Sequence, residues 1–139
     1  MTDPTDTAAE GAFHRLPSDR TAPRRAREWV RGRLRASPAS LESDTEMDVL
    51  LCTSELVNAA LLASAQRMTL GMRADAECVR VTLEADTPVP KGRDPVTLAQ
   101  LQCFKIVQRA ADRWALEATA AGRLCWAEFD CGGDHLLVH

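Results

Sequence analysis

The sequence predicts an α+β protein, a two-layer sandwich of a mostly antiparallel, mixed sheet with about three helices on one face. Three observations lead there. Apolar residues recur at helical spacing near 21–36, 43–62 and 97–113. After the second and third of these stretches the period switches to two, as strands require. The resulting order, β-α-α-β-β-α-β-β, sets the helices apart from hairpin-connected strands, which is the α+β pattern.

Residues 1–12 carry little to bury and read as a disordered tail. A folded domain is expected over 13–131, followed by a tail at 132–139 with room for one short strand at Leu136-Leu137-Val138. Residues 13–16 fit a short edge strand stopped by Pro17. The first helix can be capped by Thr21 and tolerates Pro23 in its first turn. Ala26, Trp29, Val30 and Leu34 form its buried stripe, and Arg24, Arg27, Arg31 and Arg35 form a second, basic one. Ser37-Pro38-Ala39-Ser40 breaks that helix, and Ser43-x-x-Glu46 offers a capping box for the next. The second helix then carries Met47, Leu50, Leu51, Ser54, Val57, Leu61 and Leu62. Two strands follow, at 68–72 and 78–85, the latter with Val79, Val81, Leu83 and Ala85 on one face. The third helix is expected to bury Leu98, Leu101, Phe104, Val107 and Ala111. Strands at 113–118 and 123–130 close the sheet around a turn at Ala120-Ala121-Gly122.

With 139 residues, the chain fits one domain with one core. The net charge of −3 gives the whole molecule no pull toward nucleic acid, although arginines cluster between 15 and 35. No run approaches the roughly 18 apolar residues of a membrane span, and the polar start has no signal-like apolar stretch. A cytoplasmic protein is therefore expected. Cys52, Cys78, Cys103, Cys125 and Cys131 are odd in number, irregularly spaced and without C-x-x-C. They read as reduced core cysteines, not as a zinc or disulfide framework. His14, His135 and His139 make no hydrolytic or metal spacing. Glu55 and Asn58 stand out, because a carboxylate and an amide on an apolar helix each need a partner.

Several segments together resemble bacterial regulators of the histidine-kinase-like (GHKL) ATPase superfamily, the anti-sigma-factor serine kinases. These are Ser54-Glu55-Leu56-Val57-Asn58-Ala59, the strand ending in Asp86-Thr87-Pro88, Phe104-Lys105-Ile106-Val107 with Ala110-Ala111-Asp112-Arg113-Trp114, and Leu124-Cys125-Trp126-Ala127-Glu128-Phe129. The resemblance covers roughly 13–130, with the segments in the right order. It implies the same two-layer fold. It also implies Glu55 as the base acting on water near a γ-phosphate and Asp86 as the acceptor of the adenine amino group. Asn58 stands for the Mg²⁺ ligand, and Thr87 and Lys105 complete the nucleotide-contacting set. The resemblance further implies a cytoplasmic regulator that forms a homodimer and binds a sigma factor or an anti-sigma antagonist, without membrane or nucleic-acid partners.

The chain departs from that pattern in ways that bear on activity. The amide lies three residues after Glu55, and the fourth place is Ala59. Glu55 and Asn58 still share a helix face, but Mg²⁺ demands near-ideal geometry. No glycine occurs from Arg93 to Ala121, and Leu101-Gln102-Cys103 stands where the family has a glycine pair. Side chains there hinder the close backbone approach of a phosphate cradle. Leu62 and Ala63 replace the usual basic residues. The expectation is a regulator with a degenerate ATP site and no resident cofactor, working by protein–protein binding with Arg24, Arg27, Arg31 and Arg35 as docking face. The alternatives are an active serine kinase using ATP and Mg²⁺, and a nucleic-acid-binding module.

Overall fold

A computed structural model of the chain describes residues 11–132. Five strands and three helices follow in order: β1 (Ala12–Leu16), α1 (Ala22–Arg35), α2 (Ser43–Leu62), β2 (Met68–Ala74), β3 (Cys78–Ala85), α3 (Pro95–Ala110), β4 (Arg113–Thr119) and β5 (Gly122–Asp130). The sheet order is β1-β2-β3-β5-β4. Among the described residues every pairing is antiparallel, so the mixed character expected of the sheet is not found. The hairpins β2–β3 and β4–β5 dictate antiparallel neighbours, and the connection through α3 and β4 brings β5 back antiparallel against β3.

Alternation along the strands places one face of the sheet under the helices. The register puts Leu70, Leu83, Cys125 and Leu116 in one row and Met72, Val81, Ala127 and Trp114 in the next. These rows and Val79 and Phe129 join the buried stripes of the helices in one core. The other face carries Arg80, which pairs with Glu128 at 3.1 Å and lies 4.2 Å over the Trp126 ring. Arg113 joins Glu128 at 2.8 Å. Gly122, with φ of +147°, presses its backbone onto the Ala85 carbonyl, where a Cβ would collide.

α1 buries Ala22, Ala26, Val30 and Leu34, a strict four-residue stripe whose small residues let it approach the layer closely. Trp29 lies beside this stripe and stacks on His14 of β1 at 5.6 Å. The Thr21 side chain does not cap the helix. It is drawn to Asp19 instead, whose carboxylate accepts from the Thr21 backbone N–H at 2.8 Å, while the Thr21 hydroxyl accepts from Arg25 Nε at 3.0 Å. The expected capping box of α2 is also absent, because Ser43 is already helical and Glu42 takes the cap position. Asp44 and Glu46 still favour the first turn by complementing the helix dipole.

α2 lies between α1 and α3 and over β3 and β5, so it is buried around most of its circumference. The expected stripe is too narrow: Val49, Cys52, Thr53, Leu56, Ala59 and Ala60 are also buried, whereas Met47, Leu51 and Leu62 are exposed. α3 differs in phase and in extent. Its buried face is Thr97, Gln100, Cys103, Phe104 and Val107, while Leu98 is 49% and Leu101 39% exposed. It stops at Ala110 and not at 113, because Asp112 belongs to the sheet. The Asp112 N–H donates to the Glu128 carbonyl at 2.9 Å, and its carboxylate accepts from the Asp130 N–H at 2.7 Å. Ala12, expected within the tail, opens β1; the rest of that tail up to residue 10 and the strand expected at 136–138 lie outside the described residues. Among the described residues no helix is long and apolar enough to cross a membrane. All five cysteines are free, and four of them are buried.

Candidate functional site

The residues singled out on α2 face α3. Glu55 is half-buried and meets the Cys103 thiol across the seam between the two helices. Burial pushes that thiol up to about 12, and the Glu55 charge adds to the effect. One helical turn further on, Asn58 joins Leu61, Leu62 and Cys103 around a shallow depression of about 410 Å³. Glu55 and Asn58 therefore share a neighbourhood, as their i, i+3 spacing requires. The walls around them are aliphatic side chains and a protonated thiol.

Asp86 stands just beyond β3 and faces the turn that follows α2. Its carboxylate accepts from the Gln66 N–H at 2.9 Å, and its own N–H donates to the Arg67 carbonyl at 3.2 Å. The Arg67 N–H, and after it the Gln66 N–H, hold the carboxyl below its ordinary range. The side chain is thus committed to backbone amides twenty residues earlier in the chain, tying the end of α2 to the end of β3. Thr87 beside it is buried, and its hydroxyl has no hydrogen-bond partner among the described residues. Lys105 projects from α3 as an exposed side chain.

A group the sequence reading did not single out lies next to this end of the sheet. Arg123 pairs with Ala85 in the β3–β5 ladder and is buried. Its Nη1 donates to Gln100 Oε1 at 2.6 Å and to the Pro88 carbonyl at 3.2 Å, and its guanidinium lies 5.7 Å from the Phe104 ring centre. Burial pushes its pKa down. One side chain so joins α3 to the segment after Asp86. The signal was present in the sequence: Arg123, Cys125, Ala127 and Phe129 alternate, which puts Arg123 on the covered face. Gln100 carries no such signal, because a polar residue on an amphipathic helix ordinarily faces solvent.

The basic stripe of α1 is divided by the packing. Arg24 and Arg35 are exposed and Arg31 is half-buried. Arg27 turns toward α2 and donates through Nη1 to Ser54 Oγ at 2.7 Å. It cements α1 to α2, so the outward part of the stripe consists of the other three. Among the described residues, no group of three His, Cys, Asp or Glu side chains is placed to hold a metal ion. α3 runs unbroken through Leu101-Gln102-Cys103 and packs on α2. Its N–H groups at those positions are used along the helix, so no loop of free amides faces Glu55 there. A scan against protein-family models finds no match for this chain, and a search among curated proteins finds none either.

Proposed function

We propose that the chain is a regulatory protein of the anti-sigma-factor serine kinase type whose ATP site is degenerate and which acts by binding another protein in transcriptional control. The segment resemblance set out above supplies the family, with the GHKL-like fold as part of the proposal. The observation that carries the loss of nucleotide chemistry is the continuity of α3. Where a phosphate-binding glycine pair would stand, Leu101, Gln102 and Cys103 are helical and Cys103 meets Glu55. A phosphate cradle needs free N–H groups and close backbone approach, and a helix interior offers neither. Asp86, the intended adenine acceptor, has its carboxylate occupied by the amides of Gln66 and Arg67.

On this reading the work falls to the surface. Arg24, Arg31 and Arg35 give α1 an outward cationic face suited to an acidic patch on a sigma factor or an antagonist, and a homodimer belongs to the same proposal. Titration calorimetry with ATP and Mg²⁺ is the test. No heat is expected up to millimolar nucleotide. A dissociation constant below about 100 μM that is lost in Asp86→Ala would sink the degenerate-site reading and restore the active kinase.

A further inference from the structure

The outer surface of α2 divides lengthwise into three bands. Met47, Leu51 and Leu62 are exposed and, at spacings of four and eleven residues, form an apolar ridge. Ser54 marks the flank toward α1, because its hydroxyl accepts from Arg27. Glu55 marks the flank toward α3, because it meets Cys103. Asp44 and Asp48 stand eleven and seven residues before Glu55, close to whole helical turns, so the three carboxylates line that α3 flank. Lys105 and Arg109 of α3 turn away from the Cys103 side by helical spacing and do not offset them. On α1, Arg24 lies three residues before Arg27 and Arg31 and Arg35 lie four and eight after it, so they lean over the opposite flank. The acids on that side are Glu28 and Glu46, which the four arginines outweigh. Among the described residues none of Arg24, Arg31, Arg35, Asp44, Asp48 and Glu55 forms an ion pair. The two helices run antiparallel: Arg27 meets Ser54, and Arg35 and Glu46 border one depression. Both observations fix the same register, which sets Arg31 level with Leu50 and Arg24 level with Val57.

We propose that a second copy of this chain occupies this face. The inference deepens the homodimer part of the functional reading above and rests on that part alone. A surface with a cationic flank, an apolar ridge and an acidic flank is complementary to itself when a two-fold axis runs along the ridge. α2 then lies parallel to the α2 of the copy, the ridges meet, and α1 of each copy leans over the acidic flank of the other. In that arrangement Arg35 falls within about 3 Å of the level of the copy's Asp44, Arg31 of its Asp48 and Arg24 of its Glu55. A two-fold axis set across the ridge instead lays arginines on arginines and carboxylates on carboxylates, and repulsion excludes it. Three helices, each about 10 Å wide and about 25 Å long, offer about 750 Å² per copy, close to the roughly 800 Å² that a specific interface buries on each partner. The second copy and the acidic partner proposed above therefore compete for the same arginines.

Sedimentation velocity of the full chain over a concentration series is the test. A dimer is expected, and added salt should weaken it. Arg31→Glu and Asp48→Arg should each weaken it about tenfold or more, and so should Leu51→Glu on the ridge. An equal mixture of Arg31→Glu chains with Asp48→Arg chains should associate far more tightly than either variant alone, because each exchanged charge then meets its opposite across the interface. An unchanged melting transition verifies that the variants fold. Arg35→Glu with Asp44→Arg, both at exposed positions, repeats the exchange if the half-buried pair does not fold. A monomer at every concentration, a dimer indifferent to the three single changes, or a mixture no tighter than its components overturns the proposal. The two readings fail separately: ATP that binds in calorimetry defeats the degenerate site and leaves this dimer standing, whereas a monomeric chain leaves the nucleotide question to calorimetry.

Discussion

Arg123 brings its guanidinium inside the protein against two neutral acceptors, Gln100 Oε1 and the Pro88 carbonyl, and among the described residues it forms no ion pair. A buried cation is tolerable only while its donors are bonded. Gln100 is therefore a structural partner although it sits on a helix, and its removal strands a donor. Gln100→Leu is expected to destabilise the fold by about 1–3 kcal/mol. The double change Gln100→Leu with Arg123→Met removes donor and acceptor together and should recover most of that loss, because replacing both partners by apolar groups of similar shape is nearly neutral. Urea denaturation of the two variants decides. A single variant as stable as the parent, or a double variant worse than the single, contradicts this role.

α3 is the element in which sequence and structure part most instructively. Strands were legible because alternation needs no outside information: Val79, Val81, Leu83 and Ala85 are buried as their spacing demands. The core stripe of α3 is legible in part: Phe104 and Val107 are buried as their spacing predicts, whereas Leu98 and Leu101 are exposed and the surface-like Thr97 and Gln100 are buried in their stead. Their burial is licensed by partners elsewhere in the chain: the Thr97 hydroxyl donates to the Lys91 carbonyl at 3.1 Å, and Gln100 receives Arg123. The site divides likewise. Asp86 was visible as a special carboxylate at a strand end, but its amide partners at 66 and 67 are set by tertiary packing, and the role of Arg27 as a bolt to Ser54 is hidden for the same reason. The phase is open to test. Phe104, buried and stacked on Trp114 at 5.9 Å, should cost about 3–5 kcal/mol as Phe104→Ala. Leu101→Ala should cost less than about 1 kcal/mol, as exposed positions do. Comparable losses at the two positions would mean that α3 is rotated from the phase described.

Across the whole molecule the cysteines link stability to alkaline pH. Burial pushes the thiols of Cys52, Cys103 and Cys125 from an ordinary 9.0 up to about 12, and it raises Cys78 and Cys131 in the same direction. The core holds the neutral thiols, and unfolding releases them to ionise near their ordinary value. Their contribution is thus fully present below about pH 9 and is lost as pH rises from there toward 12, because in that window the unfolded chain sheds protons that the folded chain keeps. Each such thiol adds a slope of up to about 1.4 kcal/mol per pH unit. The expected profile is flat stability between pH 7 and about pH 9 and then a steep fall, followed by urea midpoints at closely spaced pH values. The triple variant Cys52→Ala, Cys103→Ala, Cys125→Ala loses packing and starts lower, but its decline above pH 9 should be markedly shallower. Equal slopes for the parent and the triple variant would place the alkaline lability in other groups and remove the thiols from the account of how this core is held.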